Sequence, residues 1–310
     1  MFCNDGLMVQ ATNIFHVMSE LGFLPDCYIY TTLISGYCKA RDTKKALAYF
    51  GTMLKSGIEP SVTSYTVLVD NYCRSGDMEM AAHVFCEMTE KHLIPDVVLY
   101  NTLINGYGKK GQLHKVFELL GMMKYAGVSP DTVTYNIIIH SLITSGFVNE
   151  AKDILDELIQ RGFSPDKIAF TDVISAFSNR RQFEEAFLLW SYMSKHNIKP
   201  DVITCNALLS GYCRAQHMEE ARTLFHKLLD LGLIPDLILY NTLIHGFCKI
   251  GDISDACYLI NMMLKHNIMP NGITFQALIL GYEKMLVNNP VESAASKLQQ
   301  ILVAHGCLDG

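Results

Sequence analysis

Proline returns every 35 residues along this chain. Pro25, Pro60, Pro95, Pro130, Pro165, Pro200, Pro235 and Pro270 stand on one grid and are eight of the nine prolines present. Proline fixes φ at about −65° and donates no backbone hydrogen bond, so this register restarts secondary structure at the same point of every copy. The segments PDVVLYNTLINGYGKKG, from Pro95, and PDLILYNTLIHGFCKIG, from Pro235, lie 140 residues apart, which is four steps of 35. A chain of 310 residues would ordinarily suggest about two domains, but a fixed period overrides that prior.

Counted from two residues after each proline, seven complete units follow one another: 27–61, 62–96, 97–131, 132–166, 167–201, 202–236 and 237–271. A truncated copy, 1–26, precedes them with its helix expected from about Leu7 to Leu21, and a divergent capping copy spans 272–310. Each unit predicts two helices. In 97–131, Tyr100, Leu103, Ile104 and Tyr107 follow the i, i+3, i+4, i+7 stripe of an amphipathic helix. Leu113, Val116, Phe117, Leu120 and Met123 form the stripe of the second, which should stop near Gly127, ahead of Pro130. The equivalents of Gly127 are Gly22, Gly57, His92, Gly162, Asn197, Gly232 and Asn267, mostly residues that tolerate positive φ. Ala46, Ala81, Ala151, Ala186, Ala221 and Ala256 recur early in the second helix, where a small side chain permits close approach. In the last copy, Leu286–Pro290 should lengthen the link before a terminal helix that starts at Val291. Two such helices cannot bury their apolar faces alone, whereas stacked copies can. The expected fold is an all-α superhelical solenoid of 35-residue helix-turn-helix repeats.

Composition agrees. Half of the residues are hydrophobic and 18% are charged, enough to bury a large core. No run of 18 residues is uniformly apolar, so no membrane span is expected. The opening MFCNDGLMVQATNIF has neither a basic n-region nor an Arg- and Ser-rich leader, so no targeting segment is expected in it. Of ten cysteines, Cys3, Cys38, Cys73, Cys213 and Cys248 share the 35-residue grid, and no pair is spaced CxxC. Thiols separated by whole units cannot gather around one tetrahedral ion. They read as small core residues, which leaves no metal or cofactor site in view.

The units read V-x-x-Y-N-T-L-I-x-G-Y-C-K-x-G, then a conserved-length second helix with Ala and Met, then G-I-x-P-D. This resembles the pentatricopeptide repeat family over essentially the whole chain, and the uniform unit length resembles its P class. The resemblance implies a right-handed superhelical solenoid that binds single-stranded RNA, one base per repeat. It also implies residence in an organelle, the mitochondrion or alternatively a plastid. In that family the fifth and last residues of each repeat read the base. Here those pairs are Thr31/Ser61, Thr66/Asp96, Asn101/Asp131, Asn136/Asp166, Thr171/Asp201, Asn206/Asp236 and Asn241/Asn271. The family's code then implies 5′-x-G-U-U-G-U-C/U-3′, with the base at Thr31/Ser61, and any at Gln276, left open. The second residues, Tyr28, Thr63, Val98, Val133, Ile168, Ile203, Ile238 and Ile273, would clamp the base, with Thr63 departing from the apolar pattern. Lys39, Arg74, Lys109, Arg214, Lys249 and Lys284 would meet phosphate, with a gap at Thr144 and Asn179.

Each of these residues also has a purely structural use. An Asp just before a helix satisfies its first N–H groups, and a base in the last turn complements the dipole. The net charge of −6 argues against a generally basic nucleic-acid binder but not against a basic groove. Glu79, Glu150, Glu184, Glu185, Glu219, Glu220 and Asp255 open the second helices, on what should be the opposite face. His217-Met218-Glu219 matches the H-x-E of zinc deaminases without the downstream CxxC, and no phosphate-binding loop is present. The chain reads as a non-enzymatic RNA binder, with partner proteins supplying any chemistry. The competing expectation is a protein-binding solenoid that uses the same concave face.

Overall fold

The computed structural model describes residues 7–163, 165–196 and 198–288, with side chains through Gly281. Among the described residues there are sixteen α-helices and no strand. The chain divides into two compact units at Ser164/Pro165. The first holds α1 (Met8–Glu20), α2 (Cys27–Lys39), α3 (Thr43–Lys55), α4 (Val62–Ser75), α5 (Met78–Glu90), α6 (Val97–Lys109), α7 (Leu113–Tyr125), α8 (Thr132–Thr144) and α9 (Val148–Gln160). The second holds α10 (Lys167–Asn179), α11 (Phe183–Lys195), α12 (Val202–Ala215), α13 (Met218–Asp230), α14 (Leu237–Ile250), α15 (Ile253–Lys265) and α16 (Gly272–Asn288).

The helix boundaries have local causes. Asp26, Ser61, Asp96 and Asp131 in the first unit, and Asp166, Asp201 and Asp236 in the second, cap the helices that follow them. Each side chain accepts a backbone N–H three residues on, satisfying one of the donors a helix start leaves unpaired. At the far end of the second helices, Gly22, Gly57, His92, Gly127, Gly162, Gly232 and Asn267 all take positive φ, as their spacing predicted. Asn197 lies outside the described residues. The αL residue lets the next N–H turn back onto the helix end, as in Val128 N–H to the Met123 carbonyl at 3.0 Å.

Within each unit the helices pair as antiparallel hairpins, α2 with α3, α4 with α5, α6 with α7, α8 with α9, and likewise α10 with α11, α12 with α13, α14 with α15. The first helices also pack on one another in a row, α2–α4–α6–α8 in one unit and α10–α12–α14–α16 in the other. Both units are therefore all-α solenoids of helix-turn-helix repeats. Tyr100, Leu103, Ile104 and Tyr107 are buried, each side chain stabilising the stack by about 1.5–3 kcal/mol. All six recurring alanines of the second helices are fully buried. Two local expectations need correction. Phe117 is 42% exposed and Leu119 buries instead, while Leu120 buries as expected, because the second helix touches its own partner and the following first helix along a broader arc than one stripe. Leu286–Asn288 continue α16 rather than forming a link, since nothing in KMLVN breaks a helix; the terminal helix expected from Val291 lies outside the described residues.

Cys205, Cys213, Cys248 and Cys257 are buried and Cys38 and Cys73 partly so. Burial pushes the Cys73, Cys213 and Cys248 thiols up to about 12, which keeps them neutral and unreactive. Cys3 lies outside the described residues. No described helix is long and apolar enough to cross a membrane.

Close approach of the first helices rests on a glycine at the tenth position of several units. A Cβ on Gly211 would stand 2.7 Å from Ser178 Cβ and 3.1 Å from the Ser178 carbonyl oxygen. Gly121, on an exposed stretch of α7, has nothing within 4 Å of that point. Gly211→Ala should therefore lower stability by about 1–2 kcal/mol through overpacking against a carbonyl that cannot swing aside. Gly121→Ala should raise it by up to about 1 kcal/mol through helix propensity. Urea unfolding followed by circular dichroism measures both, and equal signs would refute the packing role of Gly211.

Candidate nucleic-acid interface

The second, fifth, ninth and thirteenth residues of a helix stand on one face, because successive separations of three and four return to the same side. On α6 these are Val98, Asn101, Asn105 and Lys109. All four line a groove of about 1010 Å³ in the first unit. Lys39, Arg74, Asp131 and Val133 line the same groove. It thus gathers residues expected to read, clamp and neutralise, from four successive first-helix positions.

The second residues form an exposed apolar column in both units. Val98 and Val133 are 61% and 55% exposed, and Ile168, Ile203, Ile238 and Ile273 between 61% and 67%. Tyr28 is 78% exposed, and Thr63 is exposed at the one departure from the apolar pattern. Scattered exposed hydrophobes need no account, but one branched apolar residue per repeat at the same register is a built surface.

The fifth residues of the seven complete repeats are all half-buried, and Gln276 is exposed. Three of the expected pairs meet directly: Asn101 Nδ2 donates to Asp131 Oδ1 at 3.3 Å, Asn206 Nδ2 to Asp236 Oδ1 at 3.4 Å, and Asn241 Nδ2 to Asn271 Oδ1 at 3.3 Å. Two meet through a third side chain. Thr31 and Ser61 both contact the Ser64 hydroxyl, at 2.6 and 3.1 Å. Thr171 and Asp201 both contact that of Thr204, at 2.7 and 2.9 Å. Thr66 instead donates to its own helix, at the Val62 carbonyl, while Asp96 caps α6 through the Leu99 N–H, and no hydrogen bond joins the pair. Asn136 lies on α8 in the first unit, and Asp166 caps α10 in the second.

In the five pairs that meet, the last residue is therefore a helix cap and a neighbour of the fifth residue at once. Two N–H donors converge on Asp131 Oδ1, the Thr134 N–H at 2.8 Å and the Asn101 amide at 3.3 Å, and the Thr134 hydroxyl oxygen lies 2.8 Å away, its single proton shared with Asn101 Oδ1. Asp131 lines the groove, and these bonds leave Oδ2 as its second acceptor. Partial burial alone would raise the Asp131 pKa, but these hydrogen bonds outweigh it and hold the carboxyl below its ordinary value. Asp201 is likewise held low: burial opposes, and Lys167, 2.5 Å from Oδ2, and the Thr204 donors prevail. The Lys167 contact was not legible from spacing, because only this repeat opens with a base. At the seventh repeat, Asn271 Oδ1 accepts the Ile273 and Thr274 N–H groups, both at 3.1 Å. Backbone donors require oxygen there, so its Nδ2 is left as the outward group.

The expected basic residues Lys39, Arg74, Lys109, Arg214 and Lys249 are exposed at the ends of α2, α4, α6, α12 and α14; the side chain of Lys284 lies outside those described. Two local features alter the column. Arg74 pairs with Asp70 at 2.9 Å, one turn earlier. Arg214 Nη2 reaches back to Asn179 Oδ1 at 2.6 Å, so its positive charge covers the uncharged position of the preceding repeat. The acidic residues Glu79, Glu150, Glu184, Glu185, Glu219, Glu220 and Asp255 occupy first turns of second helices.

The family model described as the PPR repeat family matches residues 25–74, 95–144, 130–179, 165–205, 200–238 and 235–284. This chain belongs to the PPR repeat family. A second model, the pentatricopeptide repeat domain, matches residues 52–110. No curated protein matched it in a sequence search. Among solved structures it is similar to the pentatricopeptide repeat protein PPR10 from maize, with TM-score 0.67 and 21% identity over 96% of this chain and 47% of that one. PPR10 in complex with an 18-nt psaJ RNA element matches with TM-score 0.53 and 21% identity over 96% of this chain and 48% of that one. The PPR domain of Arabidopsis thaliana protein-only RNase P 1, in complex with tRNA, matches with TM-score 0.50 and 15% identity over 58% of this chain and 95% of that one. The present PPR chain spans about half the length of the maize protein.

The cap geometry separates two substitutions of Asp131. Asp131→Ala should cost about 1 kcal/mol of stability at neutral pH, whereas Asp131→Asn keeps a capping oxygen and should cost less. Because the folded carboxyl is more acidic than the unfolded one, its contribution is full above the ordinary carboxylate range. It is lost as pH falls through the lowered folded value. Urea midpoints of the wild type and the Ala variant should therefore converge on acidification; a pH-independent gap would contradict the charged cap.

Proposed function

We propose that this protein binds single-stranded RNA sequence-specifically, one base per repeat, and acts in organellar RNA stabilisation, processing, splicing or translation. The observation that carries this is the groove of the first unit, where Asn101, Asp131, Val98, Val133, Lys39, Arg74 and Lys109 converge. A base needs an apolar surface on its face, polar groups at its edge and a cation near its phosphate, and the groove supplies all three at the period of the repeat. Complexes of PPR10 with an RNA element and of an RNase P PPR domain with tRNA lend support from chains of the same fold.

The donor pattern gives the family's code a physical basis. Uracil presents N3–H, a donor, in the middle of its pairing edge, and cytosine presents N3, an acceptor. The outward Oδ2 of Asp131 suits the first, and the outward Nδ2 of Asn271 suits the second. On this basis the chain reads 5′-x-G-U-U-G-U-C/U-3′, with Thr66/Asp96 and Thr171/Asp201 on G, and Asn101/Asp131, Asn136/Asp166 and Asn206/Asp236 on U. Val98, Val133, Ile168, Ile203 and Ile238 hold base faces, and the exposed bases of the first helices hold phosphates. We place the chain in the P class, acting as one copy per RNA, in a mitochondrion ahead of a plastid, with partner proteins supplying any catalysis.

A protein-binding solenoid would use the same apolar column, but it has no reason to pair Asn or Thr with Asp or Asn at six of seven steps. Binding to a short RNA containing GUUGU, against the version with both G's changed to C, separates the two. The matched RNA should bind more tightly by about 1–3 kcal/mol per base, with affinity falling as salt rises. Equal binding would refute base reading, and no binding by the folded chain to either RNA would favour a protein partner.

A further inference from the structure

We propose that the third residue of the following repeat decides how sharply each fifth residue discriminates, by holding or releasing its side chain. The proposal rests on the base-reading function above. Along the chain this third position is Ile29, Ser64, Leu99, Thr134, Ala169, Thr204, Leu239 and Thr274, an alternation of apolar and hydroxyl residues with twice the period of the fold. Ser64, Thr134, Thr204 and Thr274 are completely buried. A buried hydroxyl without a partner is destabilising, and here each has the same one. They contact Thr31, Asn101, Thr171 and Asn241 at 2.6, 2.7, 2.7 and 2.6 Å. Every one of those is a fifth residue of the preceding repeat.

At Asn101 the network closes. The Asp131 N–H donates to Thr134 Oγ1 at 3.2 Å, that hydroxyl donates to Asn101 Oδ1 at 2.7 Å, and Asn101 Nδ2 donates to Asp131 Oδ1 at 3.3 Å. Turning the amide over would place Oδ1 against the carboxylate and Nδ2 against a hydroxyl whose proton is already directed at it. The hydroxyl thus fixes which way the amide faces. Asn241 sits in the same ring with Thr274 and Asn271.

Asn206 has the same partner, Asp236, but Leu239 takes the place of threonine. Its Nδ2 keeps only the long 3.4 Å bond to the cap, and its Oδ1 is buried with no donor. An orphaned carbonyl oxygen gains by rotating outward, where it can accept from the exocyclic amine of cytosine as readily as Nδ2 can donate to a uracil carbonyl. Asn101/Asp131 and Asn206/Asp236 are identical pairs, so the chain contains its own control. The third repeat discriminates uracil from cytosine strictly and the sixth loosely.

The test is equilibrium binding of the full chain to three RNAs: the matched sequence, one with C for U at the third base, and one with C for U at the sixth. In the wild type the third-base change should weaken binding more than the sixth-base change, by about tenfold, the effect of one hydrogen bond ceasing to fix a reader. Thr134→Val should bring the third-base penalty down to that of the sixth, and Thr134→Ser should restore it. Leu239→Thr should raise the sixth-base penalty and leave the third unchanged. Equal penalties in the wild type, or variants that leave both penalties where they were, would overturn the proposal while leaving base reading intact. No penalty at either base, nor for the G changes above, would overturn both. If Thr134→Val does not fold, Leu239→Thr decides alone.

Discussion

Every first helix from α2 to α14 begins on a capping side chain that belongs, by period, to the unit before it. That single contact ties three levels together. It satisfies helix N–H groups that would otherwise be unpaired; it fixes where the proline-led turn ends and the next hairpin begins; and at Asp131 and Asp236 it sets the same capping oxygen against the fifth residue of its own repeat. A residue with both tasks cannot be optimised for one alone. Aspartate and asparagine both present an oxygen inward, so the fold accepts either, and they differ in what they present outward. The cap position is where a structural requirement leaves room for a choice, and that choice separates Asp131 from Asn271.

An acidic chain with a basic groove is resolved by the helix hairpin itself. The first helices carry Lys39, Arg74, Lys109, Arg214 and Lys249 in their last turns, where they favour the negative end of the dipole. The second helices carry their carboxylates in the first turn, at the positive end. Helix electrostatics thus favours a base at the end of a first helix and a carboxylate at the start of the second. Net charge sums over both arms and so says little about the face that the first helices line. Arg214 reaching Asn179 shows a finer adjustment, since one long side chain serves two repeats.

Much of this was legible in the sequence because the period repeats each physical requirement several times. The prolines, the αL positions and the buried alanines recur, so one reading explains many residues. What remained hidden depends on pairs of positions that meet only across repeats. Phe117 was misjudged because a second helix contacts two neighbours, which blurs a single stripe. The packing role of the tenth-position glycines was not read from the sequence, because it lies in the 3.1 Å that a Cβ on Gly211 would leave to the Ser178 carbonyl oxygen of another repeat. The Lys167–Asp201 contact was invisible because it occurs once.

The third position shows how a signal can be written plainly and still pass unread. Its alternation of apolar and hydroxyl residues cannot come from the fold alone, since within each unit the first helices pack on one another in a row and Leu99 and Leu239 meet that need, fully buried, without a polar group. Burying Ser64, Thr134, Thr204 and Thr274 completely would be unfavourable at an interface that hydrophobes can fill. The hydroxyls are tolerated because a half-buried side chain of the preceding repeat completes their hydrogen bonding. A 35-residue period therefore builds the scaffold, and a second period, twice as long, lies on it at the one layer where scaffold and surface share hydrogen bonds.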